Sequence, residues 1–170
     1  MRWWQLAVGL GSCLGAVNPQ PAWAGKVIDQ DLSVSFTPPP YFQTTKQTTP
    51  GPVHFVLVPP DKSVTISTGA QFDRKLHNAP PFSPAEAKAL CNRAAALVPK
   101  GLVLKQSNRF VLDSQNGVEC QFTGSAGRTV HWIGAPVPAQ LVMFFADWPK
   151  PPSKEQVATF RQFLGGVQIF

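Results

Sequence analysis

Residues 83–148 constrain the fold most, because one amphipathic helix precedes a long run of strand-like segments. Ser83 and Glu86 form an S-x-x-E capping box, with a proline at the first helical position. Apolar side chains then recur at steps of three and four residues. They are Ala87, Leu90, Cys91, Ala94 and Val98. Pro99 and Gly101 are expected to end the helix. This spacing predicts a helix with one apolar face that can cover a sheet.

Segments that are continuously apolar, or that alternate apolar with polar residues, lie on both sides of this helix. They are residues 32–36, 53–60, 64–72, 102–106, 109–113, 118–124, 129–135 and 139–148. The dipeptide Asn116-Gly117 is the strongest hairpin signal in the chain. Residues 43–52 are polar and lack periodicity, which predicts a loop.

A second capping box, Ser153 with Gln156, begins a short helix near the end of the chain, and residues 167–170 are expected to rejoin the sheet. The order is therefore strands, helix, several strands, helix, without the alternation of a βαβ pattern. It predicts an α+β fold, with a single antiparallel β-sheet and two helices packed on it that shelter one of its faces.

Residues 1–24 have the pattern of an export signal. Arg2 gives a positive start, the next residues are mostly apolar, and Ala22-Trp23-Ala24 offers the small side chains of a cleavage site. Cleavage there leaves residues 25–170 as a single α+β domain in the periplasm or thylakoid lumen. A rival interpretation stays open, because Leu10 to Cys13 resembles a bacterial lipoprotein box that would lipidate Cys13 and tether the protein to a membrane. A buried N-terminal helix is the third alternative.

The balance of charge limits the partners. The chain has 15 basic and 9 acidic side chains, and the basic ones are scattered rather than grouped. There is no stripe of lysines with interleaved aromatic residues, so nucleic acid is not expected as a partner. A scattered positive excess is typical of a solvated surface, and it weakly favours a protein assembly or an anionic membrane surface.

Two cysteines remain after the export signal, and two is the number that can pair in an oxidising compartment. Cys91 lies on the apolar face of the first helix. Cys120 shares one face of a predicted strand with Val118 and Phe122. If that face meets the helix, a disulfide can form. Two buried free thiols are the alternative.

The layout of the chain resembles the PsbP-like and DcrB-like group of small exported domains. The resemblance rests on a strand with an aromatic residue and prolines (VSFTPPPYF), the helix SPAEAKALCNRAAALV, strands around NGVECQF, the apolar strand LVMFFADW and the C-terminal helix KEQVATFRQFLGGVQI. It implies a non-enzymatic protein. PsbP-like proteins are typically lumenal accessory subunits of photosystem assembly or stability, and DcrB-like proteins are periplasmic or lipid-anchored. The resemblance carries over no metal or cofactor residue.

A search for reactive side chains finds no catalytic constellation. The three histidines, His54, His77 and His131, have no neighbours at metal-ligand spacing. Asp29 and Asp31 are near neighbours in sequence and could share a divalent cation, and Glu119 with Asp113 could do the same. The sequence has no calcium-binding loop of the EF-hand type. Ser125 stands in a turn-like segment and not in a nucleophile elbow. We therefore expect no enzyme, no cofactor and no metal site.

Aromatic residues crowd the C-terminal third, and core packing is the default explanation for them. The alternative concerns Trp148, which stands among Pro149, Pro151 and Pro152 and could be a half-exposed anchor for a partner. Two main functions remain open: an accessory protein that docks on a larger, possibly membrane-bound photosynthetic assembly, and a binder of a small apolar ligand in a pocket between sheet and helices. A hydrolase is the third.

Overall fold

The computed structural model describes residues 25–48, 51–72 and 80–170. The predicted signal peptide and Cys13 lie outside this part of the chain. The strands are β1 (Val27–Asp29), β2 (Val34–Phe36), β3 (Gln43–Lys46), β4 (Val53–Val58), β5 (Thr65–Phe72), β6 (Val103–Leu112), β7 (Gln115–Thr123), β8 (Thr129–Val137), β9 (Gln140–Trp148) and β10 (Gln168–Ile169). The helices are α1 (Pro84–Ala94) and α2 (Lys154–Gly165). No helix among the described residues is both long and apolar enough to span a membrane.

The strands form two antiparallel sheets, so the prediction of a single sheet is wrong. Seven strands make the larger sheet, in the order β3-β4-β5-β9-β8-β7-β6, and three make the smaller one, in the order β1-β2-β10. Strand β2 does not extend an edge of the larger sheet. It lies over the core and pairs with β1 and β10, which makes a separate sheet. All three β2 side chains are buried, and the ring of Phe36 packs edge-on against Phe55 and Phe163.

The two helices lie on opposite faces of the larger sheet, and not on one face as the sequence suggested. α1 packs its buried residues Ala87, Leu90, Cys91 and Ala94 into a cluster with β7, β8 and β9. α2 buries Phe160, Phe163 and Leu164 in a second cluster, together with the smaller sheet.

Strand β9 shows why both faces need a cover. Leu141 and Met143 belong to the α1 cluster, whereas Val142 and Phe144 belong to the α2 cluster. Successive side chains of a strand point to opposite faces, so an unbroken apolar run presents apolar groups on both. Such a strand is stable only when something packs on each side of the sheet.

Both predicted capping boxes are present. Ser83 Oγ accepts the amide of Glu86 while the Glu86 carboxylate accepts the amide of Ser83, and Ser153 and Gln156 do the same at α2. The helix α1 ends at Ala94, before the predicted stop at Pro99. Turns continue the chain from there, and Val98 is still buried in the α1 cluster.

The hairpin predicted at Asn116-Gly117 exists, but its turn lies three residues earlier. Leu112 pairs with Gln115, and the two residues between them, Asp113 and Ser114, have φ of 44° and 69°. Positive φ at both central residues is the requirement of a type I′ turn. Gly117 instead lies inside β7, where a Cβ would come within 2.6 Å of the carbonyl oxygen of Gly134.

The segment predicted as a loop, residues 43–52, contains the edge strand β3. All four β3 side chains are exposed, which is why the sequence lacks the alternation of a half-buried strand. Its order comes from backbone pairing with β4, in the register Gln43 to Val58 and Lys46 to Phe55. Threonine-rich polar edge strands carry no hydrophobic signal that a sequence pattern can detect.

A disulfide joins Cys91 of α1 to Cys120 of β7, with the two Cα atoms 5.5 Å apart. Both residues are fully buried in the α1 cluster. The pairing agrees with the sequence prediction, because the face that carries Val118, Cys120 and Phe122 does meet the helix.

A group of polar and charged side chains, centred on a buried carboxylate, connects α2 to β7. Glu119 of β7 is buried, and its Oε1 accepts a hydrogen bond from Nη2 of Arg161 on α2. Nδ1 of His131 lies 3.4 Å from the same oxygen, which is too long for a strong hydrogen bond. Burial by itself raises the pKa of Glu119, but the contacts with His131 and Arg161 outweigh it and lower the pKa from 4.5 to about 2.

Trp148 is 1% exposed, so the prediction of a half-exposed anchor is wrong. Trp148 is the last residue of β9, pairs with Thr129 and points to the α2 face. There its ring makes edge contacts with Phe160 of α2, at 5.8 Å between centroids, and with His131, at 5.0 Å. The prolines after Trp148 end the strand, but the indole ring remains buried.

Replacing both cysteines by alanine is expected to lower the free energy of unfolding by about 3 kcal/mol, because the unfolded chain loses a cross-link across 29 residues. Urea unfolding of the double variant and the wild type measures the difference. Thiol titration of the denatured, unreduced protein is the control. Reactive thiols from Cys91 and Cys120, in addition to any from Cys13, would contradict the pairing.

Glu119→Gln is expected to cost about 2 kcal/mol of stability at pH 7, because Arg161 loses its buried carboxylate partner. The folded pKa of about 2 lies below the ordinary value of 4.5, so the charge stabilises fully above pH 4.5 and progressively less towards pH 2. The stability difference between wild type and variant should shrink over this range in urea unfolding. Glu155→Gln, at an exposed carboxylate on α2, is the matched control. A difference that does not change with pH would refute the assignment.

Candidate functional site

An apolar cavity of about 340 Å³ opens where α2 meets the larger sheet and two loops. Its floor is formed by Val64 and Ile66 of the β5 region, Trp148 of β9 and Phe160 of α2. Its walls are the turns around Pro40 and Pro60, with a few polar groups at the sides. The remaining lining residues are Tyr41, Phe42, Pro59, Asp61, Ser63, Gln156 and Thr159. The site lies between sheet and helix, where the sequence led us to look for a ligand pocket.

Tyr41 stands at the mouth of this cavity in an unfavourable backbone conformation. The amide of Phe42 donates to the carbonyl of Pro39 at 3.2 Å, which makes Pro40 and Tyr41 the central residues of a turn. Tyr41 has φ of 68°, a value that a type II turn requires at this position and that favours glycine. A tyrosine there costs about 1 kcal/mol relative to glycine. Its side chain is nevertheless 83% exposed, so burial does not compensate for the strain.

The opposite wall is fixed by a second proline turn. The amide of Lys62 donates to the carbonyl of Pro59 at 3.0 Å, and Lys62 itself has φ of 54°. Asp61 follows Pro60, and its Oδ1 accepts the amide of Ser63 at 3.0 Å. The prolines and the Asp61 bond hold this wall in one shape before any ligand arrives.

A set of hydrogen bonds around one buried carboxylate connects the turn after β1 to strand β4. Asp29 is buried, with Oδ1 accepting the amides of Asp31 and Leu32 and Oδ2 3.0 Å from Nδ1 of His54. The ligand-type atoms of Asp29, Asp31 and His54 all lie within 4.8 Å of one another. The sequence suggested the two aspartates as a pair but gave no reason to add His54. Both oxygens of Asp29 are already satisfied by protein groups, which explains its burial without a cation.

The other residues considered from sequence are not brought together. Glu119 is bonded to Arg161, and Asp113 accepts the amide of Ile169 at 2.6 Å, so these two carboxylates serve separate structural purposes. Ser125 begins a short 3₁₀ turn between β7 and β8. His77 lies outside the described residues.

The outer face of the smaller sheet carries exposed apolar side chains. Ile28 and Gln168 both pair with Ser35, and Phe170 follows two residues later, so these side chains share one face. Ile28 is 59% exposed and Phe170 is 66% exposed. Lys26 lies on the same face and donates from Nζ to Gln168 at 2.5 Å.

The sequence predicts a pocket between the sheet and the helices but does not identify the residues that line it. The mouth and walls of the cavity are formed by the segments Pro39-Pro40-Tyr41 and Pro59-Pro60-Asp61. In the sequence these segments indicate only the ends of strands. The available signal was a bulky residue directly after a proline pair, where glycine or asparagine is the usual choice for the turn.

Comparison with known proteins gives a fold and no closer relationship. No family model matches the chain, and no curated protein matches it. Among solved structures, the chain is similar to the solution structure of cyanobacterial PsbP (CyanoP) from Synechocystis sp. PCC 6803, with a TM-score of 0.64 and 12% sequence identity. The match covers 95% of this chain and 99% of that one. At this identity the likeness concerns the fold, and it confirms that the chain has a PsbP-like fold.

Proposed function

We propose that this protein is an exported, non-enzymatic accessory protein that docks on a larger assembly of the photosynthetic membrane. The observation that carries the proposal is the PsbP-like fold, which extends over nearly the full length of both compared chains. PsbP-like proteins are typically lumenal accessory subunits of photosystems. The proposed location is the thylakoid lumen or the periplasm, with residues 25–170 as the working domain.

The leader is proposed to act as a cleaved export signal, with the mature chain starting at Gly25. The disulfide between Cys91 and Cys120 supports export, because such bonds persist in oxidising compartments. N-terminal sequencing of protein isolated from its native membranes tests this. A start at Gly25 is expected, whereas a blocked N-terminus at Cys13 would replace cleavage by lipid anchoring.

The outer face of the smaller sheet, with Ile28 and Phe170, is the proposed docking surface. Two large exposed apolar side chains on one face leave apolar surface open to water, and contact with a partner would bury it. Lys26 adds a positive charge there, which suits an anionic partner surface.

The docking surface can be tested with charged substitutions. Ile28→Asp and Phe170→Asp are expected to reduce recovery of the wild-type partner set from solubilised membranes about tenfold or more, because a charge would be buried in the contact. Val103→Asp is the matched control, since Val103 is 60% exposed on β6, in the other sheet. Equal recovery by all three variants would refute this surface, and recovery of no partner by the wild type would refute the accessory function.

A second candidate function is the binding of a small ligand. The specific observation in its favour is the apolar cavity beside α2, whose volume of about 340 Å³ falls within the range of ligand pockets, roughly 300–1,000 Å³. The two functions are compatible, because the cavity and the proposed docking surface have no residue in common.

A further inference from the structure

The geometry of the cavity beside α2 points to a specific class of ligand. We propose that it binds an uncharged, apolar molecule of about the size of two or three fused or linked rings, covered at the mouth by the ring of Tyr41. The proposal rests on the second candidate function, ligand binding, and adds the chemistry of the ligand and the residue that holds it.

The size and lining of the cavity set the first limit. Apolar cavities of about 150 Å³ stay dry and bind single-ring molecules such as benzene, so a cavity of about 340 Å³ has room for more than one ring. The four residues of its floor, Val64, Ile66, Trp148 and Phe160, are at most 6% exposed, and the accessible apolar surface comes mainly from prolines and aromatic rings of the two turns. Water gains few hydrogen bonds against such a floor, so an apolar occupant displaces it at little cost.

The charges around the cavity set the second limit. Among the described residues that line the cavity, the one carboxylate is Asp61, which is exposed, and none is a lysine, arginine or histidine. The Ser63 amide stabilises the ionised form of this carboxylate. An anionic ligand would therefore meet a negative charge and find no cation among the lining side chains. A cationic ligand would find one partner, the exposed Asp61, whose attraction water screens, while the apolar floor would remove part of its hydration.

Tyr41 sets the third limit. Glycine would satisfy the turn with less strain, and the exposed ring gains no burial in the free protein. Backbone strain of this kind persists at binding sites, where the side chain is needed in a particular place. An aromatic ring at the mouth of an apolar cavity can close over a bound ring system. The two proline turns hold both walls in place, which lowers the entropy lost on binding.

Fluorescence titration of the purified protein tests the ligand class with two matched probes. Phenylnaphthylamine is uncharged, and anilinonaphthalene sulfonate has the same ring skeleton with one added anionic group. Saturable binding of phenylnaphthylamine to one site is expected, at least about tenfold tighter than that of the sulfonate. Equal or tighter binding of the sulfonate would overturn the uncharged class, and the absence of saturable binding by phenylnaphthylamine would overturn the proposal.

Thr159→Phe locates the site. Thr159 lines the cavity from a partly exposed position on α2, so a phenyl group there should occupy part of the volume and weaken phenylnaphthylamine binding about tenfold. Ala158→Phe adds the same side chain at the neighbouring exposed position, outside the lining, and should change binding less than twofold. Equal effects of the two substitutions would place the probe elsewhere and overturn the assignment.

Tyr41→Gly separates binding from folding, because the side chain is exposed and its removal relieves the turn. The variant should be at least as stable as the wild type and should bind phenylnaphthylamine about three- to tenfold more weakly, the usual effect of losing one aromatic contact. Lys62→Gly is the control, since it relieves a similar backbone strain at a residue outside the lining. Unchanged binding by Tyr41→Gly would exclude the tyrosine from the site. These titrations use the protein alone, so their failure leaves the test of the accessory function unaffected.

Discussion

The structure depends on two central strands, β8 and β9, that are apolar on both faces. Almost every side chain of these strands is buried, and neighbouring positions along β9 belong to different hydrophobic clusters. Exposure of either face to water would leave a large apolar surface solvated, which is unfavourable. α1 covers one face, and α2 together with the smaller sheet covers the other. This requirement accounts for the positions of both helices and of the smaller sheet.

Much of this architecture could be predicted from the sequence, because it depends on local features such as helix caps and the spacing of apolar residues. Capping boxes at Ser83 and Ser153 mark both helix starts, and the three-and-four spacing of Cys91 with its neighbours identifies the face that meets β7. The division into two sheets could not be predicted in this way. Whether a short strand such as β2 extends a sheet or lies over it depends on distant partners such as Phe163, which no local pattern records.

The candidate site was harder to predict for a related reason. Its residues come from two turns, two strands and a helix, and the contribution of Tyr41 depends on a positive φ that sequence patterns assign to glycine. Trp148 was the residue that its proline-rich surroundings favoured as an exposed anchor. It became part of the floor because the strand register, and not the nearby prolines, determines which face a side chain occupies. The meeting of His54 with Asp29 likewise depends on the packing of one sheet over the other.

The covalent bond between Cys91 and Cys120 gives the two sides of the molecule different mechanical properties. It ties α1 to β7, so that helix cannot separate from its face of the sheet unless the bond is reduced. In the described part of the chain, α2 is held to its face by packing and by ionic contacts such as that between Arg161 and Glu119, all of which are reversible. Of the two helices, α2 is therefore the one that can lift from its face of the sheet without a covalent bond being broken. The cavity lies against α2, on the side of the sheet whose helix is not covalently tied to it in the described part of the chain.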